Sequence, residues 1–164
     1  MADAKAAIPA AVVTVSDSCA RGERKDASGP AVAQLLGRLQ FAVVAREIVP
    51  DDEIQIQNLL IRLAREVRLI VTTGGTGIAP RDVTPEATAK VCDRLLDGVA
   101  EKMRSDGMKT TPFAALSRGV CGVRGSSLIL NLPGSPKGAV ESLEAVANLL
   151  PHTIELLGGK TEHT

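Results

Sequence analysis

The sequence predicts a three-layer α/β/α domain on a mainly parallel sheet. Short aliphatic runs alternate with amphipathic segments along its 164 residues, the pattern of strands crossed over by helices. Of the aromatic residues it has two Phe and neither Tyr nor Trp, so Ala, Val, Leu and Ile must build the core. Branched aliphatics suit buried parallel strands, and Ala and Leu suit the helices that cover them. Polar or Gly-rich loops also recur at strand ends, where open α/β sheets bind ligands.

The elements follow in order. Ala10 to Val15 reads as a buried strand stopping at Ser16-Asp17-Ser18. A polar stretch leads to Gly29-Pro30, which opens a helical segment through Leu39 with proline at its start. Phe41 to Val49 is the next strand. Pro50-Asp51-Asp52-Glu53 then turns into a helix over Ile54 to Glu66, its acids well placed for the helix dipole. Leu69 to Thr73 is the clearest strand and ends abruptly in Gly74-Gly75-Thr76-Gly77. Thr84-Pro85-Glu86 starts a helical pattern that continues to about Met103. Thr111 to Ser117 is a short helix and Ser126 to Leu132 a strand, closed by Pro133-Gly134-Ser135-Pro136. The last helix spans about Lys137 to Leu157, with Pro151 as a break, before a polar tail over 158–164. Neither a repeat nor a linker interrupts this order, so the expected organisation is one domain over 1–164.

Composition narrows the function. Nineteen basic residues balance nineteen acidic ones. Such a chain has no general pull towards nucleic acid or anionic lipid, and it lacks the aromatic platforms of single-strand binders. No window approaches a membrane span. Cys19, Cys92 and Cys121 are scattered and form no C-x-x-C pair, which fits reduced thiols in a cytoplasmic setting. His152 and His163 are the only histidines, too few for an ordinary zinc site.

The chemistry concentrates at the strand ends. Glycines 74, 75 and 77 can turn tightly and aim backbone N–H groups at an anion. Pro80 breaks G-x-G-x-x-G, and G-x-x-x-x-G-K-[ST] does not occur, so the common dinucleotide and P-loop fingerprints are excluded. Asp51 and Asp82 are two carboxylates expected on the same rim. Each alone reads better as a carboxylate that stabilises a helix start, but a pair beside a phosphate loop is also what Mg²⁺ takes together with substrate oxygens. Arg81, Arg118, Arg124 and Lys137 lie near loops and could meet an anionic substrate, although each alone reads as surface charge. No nucleophilic serine motif is present, and Cys19 and Cys121 read as small buried groups.

Several motifs occur in order: Val15-Ser16-Asp17, Asp26-x-Ser28-Gly29, Val49-Pro50-Asp51, Thr73-Gly74-Gly75-Thr76-Gly77, Arg81-Asp82-Val83-Thr84-Pro85-Glu86 and Asn131-Leu132-Pro133-Gly134. Together they resemble the molybdopterin adenylyltransferase family, which includes a bacterial enzyme, a domain of the plant enzyme and the amino-terminal domain of gephyrin. The resemblance runs from about Ala10 to Leu157. It implies a homotrimer of α/β subunits that adenylylates molybdopterin with ATP and Mg²⁺, releasing pyrophosphate, with the molybdate-inserting enzyme as a partner. It implies that Asp51 and Asp82 hold the metal and catalyse. It assigns substrate binding to Ser16, Asp17, Gly74, Gly75, Thr76, Gly77, Arg81, Ser126, Pro133, Gly134, Ser135 and Lys137. The Arg124-Gly125-Ser126 segment also matches the family, and Asp52 departs from its usual Glu while keeping the charge. The alternative reading is a non-catalytic, trimeric pterin-binding assembly module of the same fold.

Overall fold

The computed structural model describes residues 5–161; His163 and the end of the polar tail lie outside them. The chain runs β1 (Ile8–Val15), α1 (Asp17–Ala20), α2 (Ser28–Arg38), β2 (Phe41–Val49), α3 (Glu53–Leu63), β3 (Leu69–Thr73), α4 (Thr84–Val91), β4 (Arg94–Leu95) and α5 (Asp97–Met108). A 3₁₀ turn over Pro112–Leu116 follows, then β5 (Cys121–Arg124), β6 (Ser127–Leu132), α6 (Pro136–Val146), a second 3₁₀ turn and α7 (Leu150–Leu157). The six strands form one sheet in the order β2-β1-β3-β6-β5-β4. The first four in that order are parallel, whereas β5 is antiparallel to both β6 and β4.

Alternation along the strands builds two cores, one on each face. Ala10, Val12, Leu69, Val71, Leu128, Leu130 and Leu132 pack with residues of α2, α5, α6 and α7. Ala11, Val13, Val15, Ile70 and Ile129 face the other way, against α3 and α4. Successive side chains of a strand point to opposite faces, so each run that is buried throughout serves both helical layers. The predicted three-layer architecture is the observed one.

Several boundaries differ from the sequence reading. The helix expected from Thr84 to about Met103 is two helices separated by β4. The polar Cys92-Asp93 step leaves the helix because the Asp93 N–H is drawn to the Val123 carbonyl and the Leu96 N–H to that of Cys121, completing the sheet edge. The antiparallel strand β5 had no separate signal. The last helix divides at residues 147–149, and Pro151 sits in the first turn of α7, where its missing N–H costs nothing. Helix α3 ends at Leu63, three residues earlier than expected.

Side-chain bonds fix the strand ends on which the site is built. The Asp26 carboxylate accepts from Thr14 Oγ1 and from the Gly29 N–H, joining β1 to the start of α2. Buried Asn131 donates from Nδ2 to Thr72 and Thr88, and its Oδ1 accepts from the Val120 N–H. That network locks β6 to β3 and α4 at the end where β6 turns into the Pro133 loop. Among the described residues no helix is long and apolar enough to cross a membrane.

Candidate functional site

A cavity of about 480 Å³ opens beyond the carboxyl ends of β3 and β6. One wall is the glycine run and another the Pro133-Gly134-Ser135 turn with the start of α6. Helix α5 and the Pro112–Leu116 turn complete it. Gly74 and Gly75 adopt φ of +91° and +68°, a region costly for any other residue. They also have no room for a side chain. A Cβ on Gly74 would stand 2.3 Å from the Val15 carbonyl, and one on Gly75 2.2 Å from Thr84 Oγ1. The Thr84 hydroxyl ties the run to α4 by donating to the Gly74 carbonyl.

The Gly74 N–H continues the sheet by donating to Leu132, so it is spent structurally. Among the described residues, nothing in the chain accepts from the N–H groups of Gly75, Thr76 and Gly77. These three residues line the cavity, and backbone amides left unpaired in a tight loop are donors available to an anion.

Both predicted carboxylates stand against this run. Asp51 Oδ1 lies 3.2 Å from the position of a Gly75 Cβ, and Asp82 Oδ2 lies 2.8 Å from that of a Gly77 Cβ. Asp82 lines the cavity, whereas Asp51 stands behind Gly75. Asp51 Oδ2 accepts from the Asp17 N–H, and Asp17 Oδ1 accepts from the Asp51 N–H. Burial pushes the Asp51 carboxyl above its ordinary value, and the charges of Asp17 and Asp82 push the same way against the Asp17 N–H bond. Asp82 Oδ2 accepts from the Ala79 N–H, holding its loop folded.

The cations divide differently from the sequence reading. Arg81 donates through Nε and Nη2 to both Asp17 oxygens, which holds the Asp17 carboxyl below its usual range. Ser16 caps α1 by accepting from the Cys19 N–H. Asp17, held by Arg81, therefore braces Asp51, and none of Ser16, Asp17 and Arg81 is among the residues lining the cavity. Lys137 lies one turn from Glu141, at 3.8 Å, and its side chain is 80% exposed. Arg118 is the structural clamp of the loop. Its Nε donates to the Gly77 carbonyl and its Nη2 to the Asp82 carbonyl, both at 2.7 Å, while Nη1 pairs with Glu86.

Ser126 stands apart from the other site candidates. The tight β5–β6 hairpin, with Gly125 at φ +57°, places Ser126 at the opposite end of the sheet from the glycine run. Its carbonyl accepts from Arg68, just before β3 begins. The length of β3, roughly 16 Å, separates it from this cavity. Arg124 of the same segment donates to the Val91 carbonyl, a packing contact.

The cavity also has a wall the sequence reading passed over. Ala100, Met103 and Arg104 of α5 line it, as does Phe113, which is 75% exposed. The faint signal was size. Gly107 and Ala114 are small, and a Cβ on Gly107 would meet Ala114 at 2.9 Å, so the helix and the turn approach closely. None of the three cysteines lines the cavity, and burial pushes the Cys92 thiol up to about 11 and that of Cys121 up to about 12.

Among the described residues no group of three or more His, Cys, Asp or Glu is arranged to hold a metal unaided. Asp51 and Asp82 instead offer a partial set of carboxylate oxygens. That suits Mg²⁺, which usually takes one or two carboxylates and completes its shell with phosphates and water.

Known proteins resemble the chain in sequence and fold. Residues 11–152 match the family described as "Probable molybdopterin binding domain". The chain is 44% identical over 155 residues to a molybdopterin adenylyltransferase of Helicobacter pylori, covering 90% of this chain and 86% of that one. It is 46% identical over 151 residues to the molybdenum cofactor synthesis protein cinnamon of Drosophila melanogaster, where it covers 90% of this chain but spans only a quarter of the longer protein. A crystal structure of the molybdopterin biosynthesis enzyme MoaB from Thermus thermophilus superposes with a TM-score of 0.88 at 53% identity, over 93% of this chain and 98% of that one.

Proposed function

The chain belongs to the molybdopterin-binding domain family, and from that membership we propose that it adenylylates molybdopterin, using ATP and Mg²⁺. One observation carries the reading: two carboxylates stand against a glycine run that has unengaged amides and lines a cavity large enough for a small heterocyclic substrate. In this reaction a terminal phosphate oxygen of molybdopterin attacks the α-phosphorus of ATP. The new P–O bond forms as the bond to the β-phosphate bridging oxygen breaks, and pyrophosphate leaves with its electron pair. The attacking oxygen is already an anion, so no general base is required. This fits a cavity whose lining includes no histidine.

The chain's own part is positioning and charge. The amides of Gly75, Thr76 and Gly77 hold a phosphate. Phe113, in the cavity lining, would supply apolar aromatic surface to a flat ring. Asp51 and Asp82 are the residues that would hold Mg²⁺. When bound there, the cation would neutralise charge building on the departing pyrophosphate. Asp17 and Arg81 set the direction of the Asp51 carboxylate, and Arg118 sets that of the Asp82 loop.

Incubation with molybdopterin, ATP and Mg²⁺ should release pyrophosphate. Asp82→Ala should abolish that release while leaving pterin binding nearly intact. Pterin binding by the wild-type protein with no pyrophosphate formed would favour a non-catalytic binding module instead.

A homotrimer belongs to the same proposal. Val44 and Ile48 on the edge strand β2 are 62% and 47% exposed, and an apolar open edge is ordinarily covered. Sedimentation at micromolar concentration should give three times the chain mass, and a monomer would remove the assembly from the proposal.

A further inference from the structure

The cavity is lined by one cationic side chain, Arg104, alongside two acidic ones, Asp82 and Glu141. Without Arg104 the only charged side chains in its lining would be carboxylates, which is unfavourable for a substrate carrying several phosphate charges. We propose that Arg104 anchors a phosphate group of the substrates across the cavity from the glycine run. The proposal rests on the adenylyl-transfer reading.

The way Arg104 is held supports this role. It follows Met103, which with Ala100 buries the inner face of α5. Its Nη1 donates to the Gly119 carbonyl at 2.9 Å and lies 3.4 Å from that of Ser117. Two neutral carbonyls fix the guanidinium in place without cancelling its charge. Among the described residues no carboxylate lies within ion-pair distance of Arg104, in contrast to Arg81 with Asp17 and Arg118 with Glu86. Nε and Nη2 keep N–H donors in a planar fork that matches phosphate oxygens. The amides of Gly75, Thr76 and Gly77 supply donors from another wall. A phosphate between the two would receive hydrogen bonds from both. The group could belong to molybdopterin or to ATP, since both present the same oxygens.

The test measures affinity against the charge at position 104. Wild type, Arg104→Lys, Arg104→Gln and Arg104→Glu are titrated with molybdopterin, read by pterin fluorescence, which no Trp or Tyr of the protein obscures. A second series uses ATP, read by calorimetry. In one series affinity should fall in the order Arg, Lys, Gln, Glu, with Arg104→Gln weakened roughly ten- to hundredfold, as expected for a charge-assisted bond. The series that shows the order identifies which substrate owns the phosphate. A folding defect would not rank the variants by charge, and melting curves identify any that do not fold. Affinity independent of charge in both series overturns the proposal. Pyrophosphate release by the wild-type protein is scored separately. An active enzyme with a flat series loses only the Arg104 anchor. An inactive protein with a graded series keeps the anchor and loses the transfer reading.

Discussion

Asp17 and Asp51 hold one another: each carboxylate accepts a hydrogen bond from the other's backbone N–H, at 3.0 Å in both directions. The two residues are 34 positions apart, at the ends of neighbouring parallel strands. The exchange ties the β1 loop to the β2 loop and aims Asp51 at the glycine run. Arg81, reaching across from the third loop, completes the support.

Asp17→Ala should therefore act through Asp51. We expect kcat for pyrophosphate release to fall roughly tenfold or more, with molybdopterin affinity close to wild type. A matching loss of pterin affinity would place Asp17 against the substrate instead. Arg81→Ala should leave the melting temperature close to that of wild type, because the Arg81 side chain is 67% exposed and an ion pair screened by water contributes little.

The two acids should respond to pH in opposite senses. Arg81 lowers the Asp17 carboxyl, so its contribution is present above 3.8, its ordinary value, and is lost as pH falls below that. Burial raises the Asp51 carboxyl, so the folded state holds its proton longer than the unfolded state does. Stability then declines as pH climbs from 3.8 through the raised value, and ionised Asp51 remains a cost at neutral pH. Asp51→Asn keeps an acceptor for the Asp17 N–H. At pH 7 it should melt above wild type, lack adenylyl transfer, and lose its advantage as the pH approaches 3.8. A Tm below wild type at pH 7 would contradict this account.

Arg118 bridges two carbonyls of the loop that carries Asp82, and a single cation on a flexible stem cannot reproduce that fork. Arg118→Ala should cost about 1–3 kcal/mol in urea unfolding and lower activity beyond what that destabilisation explains. Arg118→Lys should recover little of the activity. Full activity in the lysine variant would mean that charge alone suffices.

Gly75→Ala combines φ +68° with a contact of 2.2 Å to Thr84 Oγ1. Thr84 is fully buried, so it has little room to yield. We expect a loss of about 1–3 kcal/mol together with loss of pterin binding. Gly37→Ala serves as the control: a Cβ there meets nothing within 4 Å, and this variant should bind as wild type does.

Much of this architecture was legible in the sequence because it is written in local pattern. Aliphatic runs such as Leu69-Ile70-Val71 can only be strands covered on both faces. Once those strands are parallel, the residues that follow them share one rim, and so Asp51, the glycine run and the Pro133 turn meet there. The tertiary structure alone decided the rest, because it depends on contacts between distant parts of the chain. Strand β4 exists only because β5 offers it carbonyls nearly thirty residues away. Ser126 looks like a site residue until the hairpin turns it to the far end of the sheet. Arg81, Arg118 and Lys137 read alike as loop cations, yet one braces Asp17, one clamps the Asp82 loop and one faces solvent. Arg104, in a helix with no motif to mark it, became the cavity's cation because α5 packs beside α6 and the Pro112–Leu116 turn and so forms one wall of the cavity. Periodicity determines which face of an element is apolar; which charge ends up beside which cavity is set by packing.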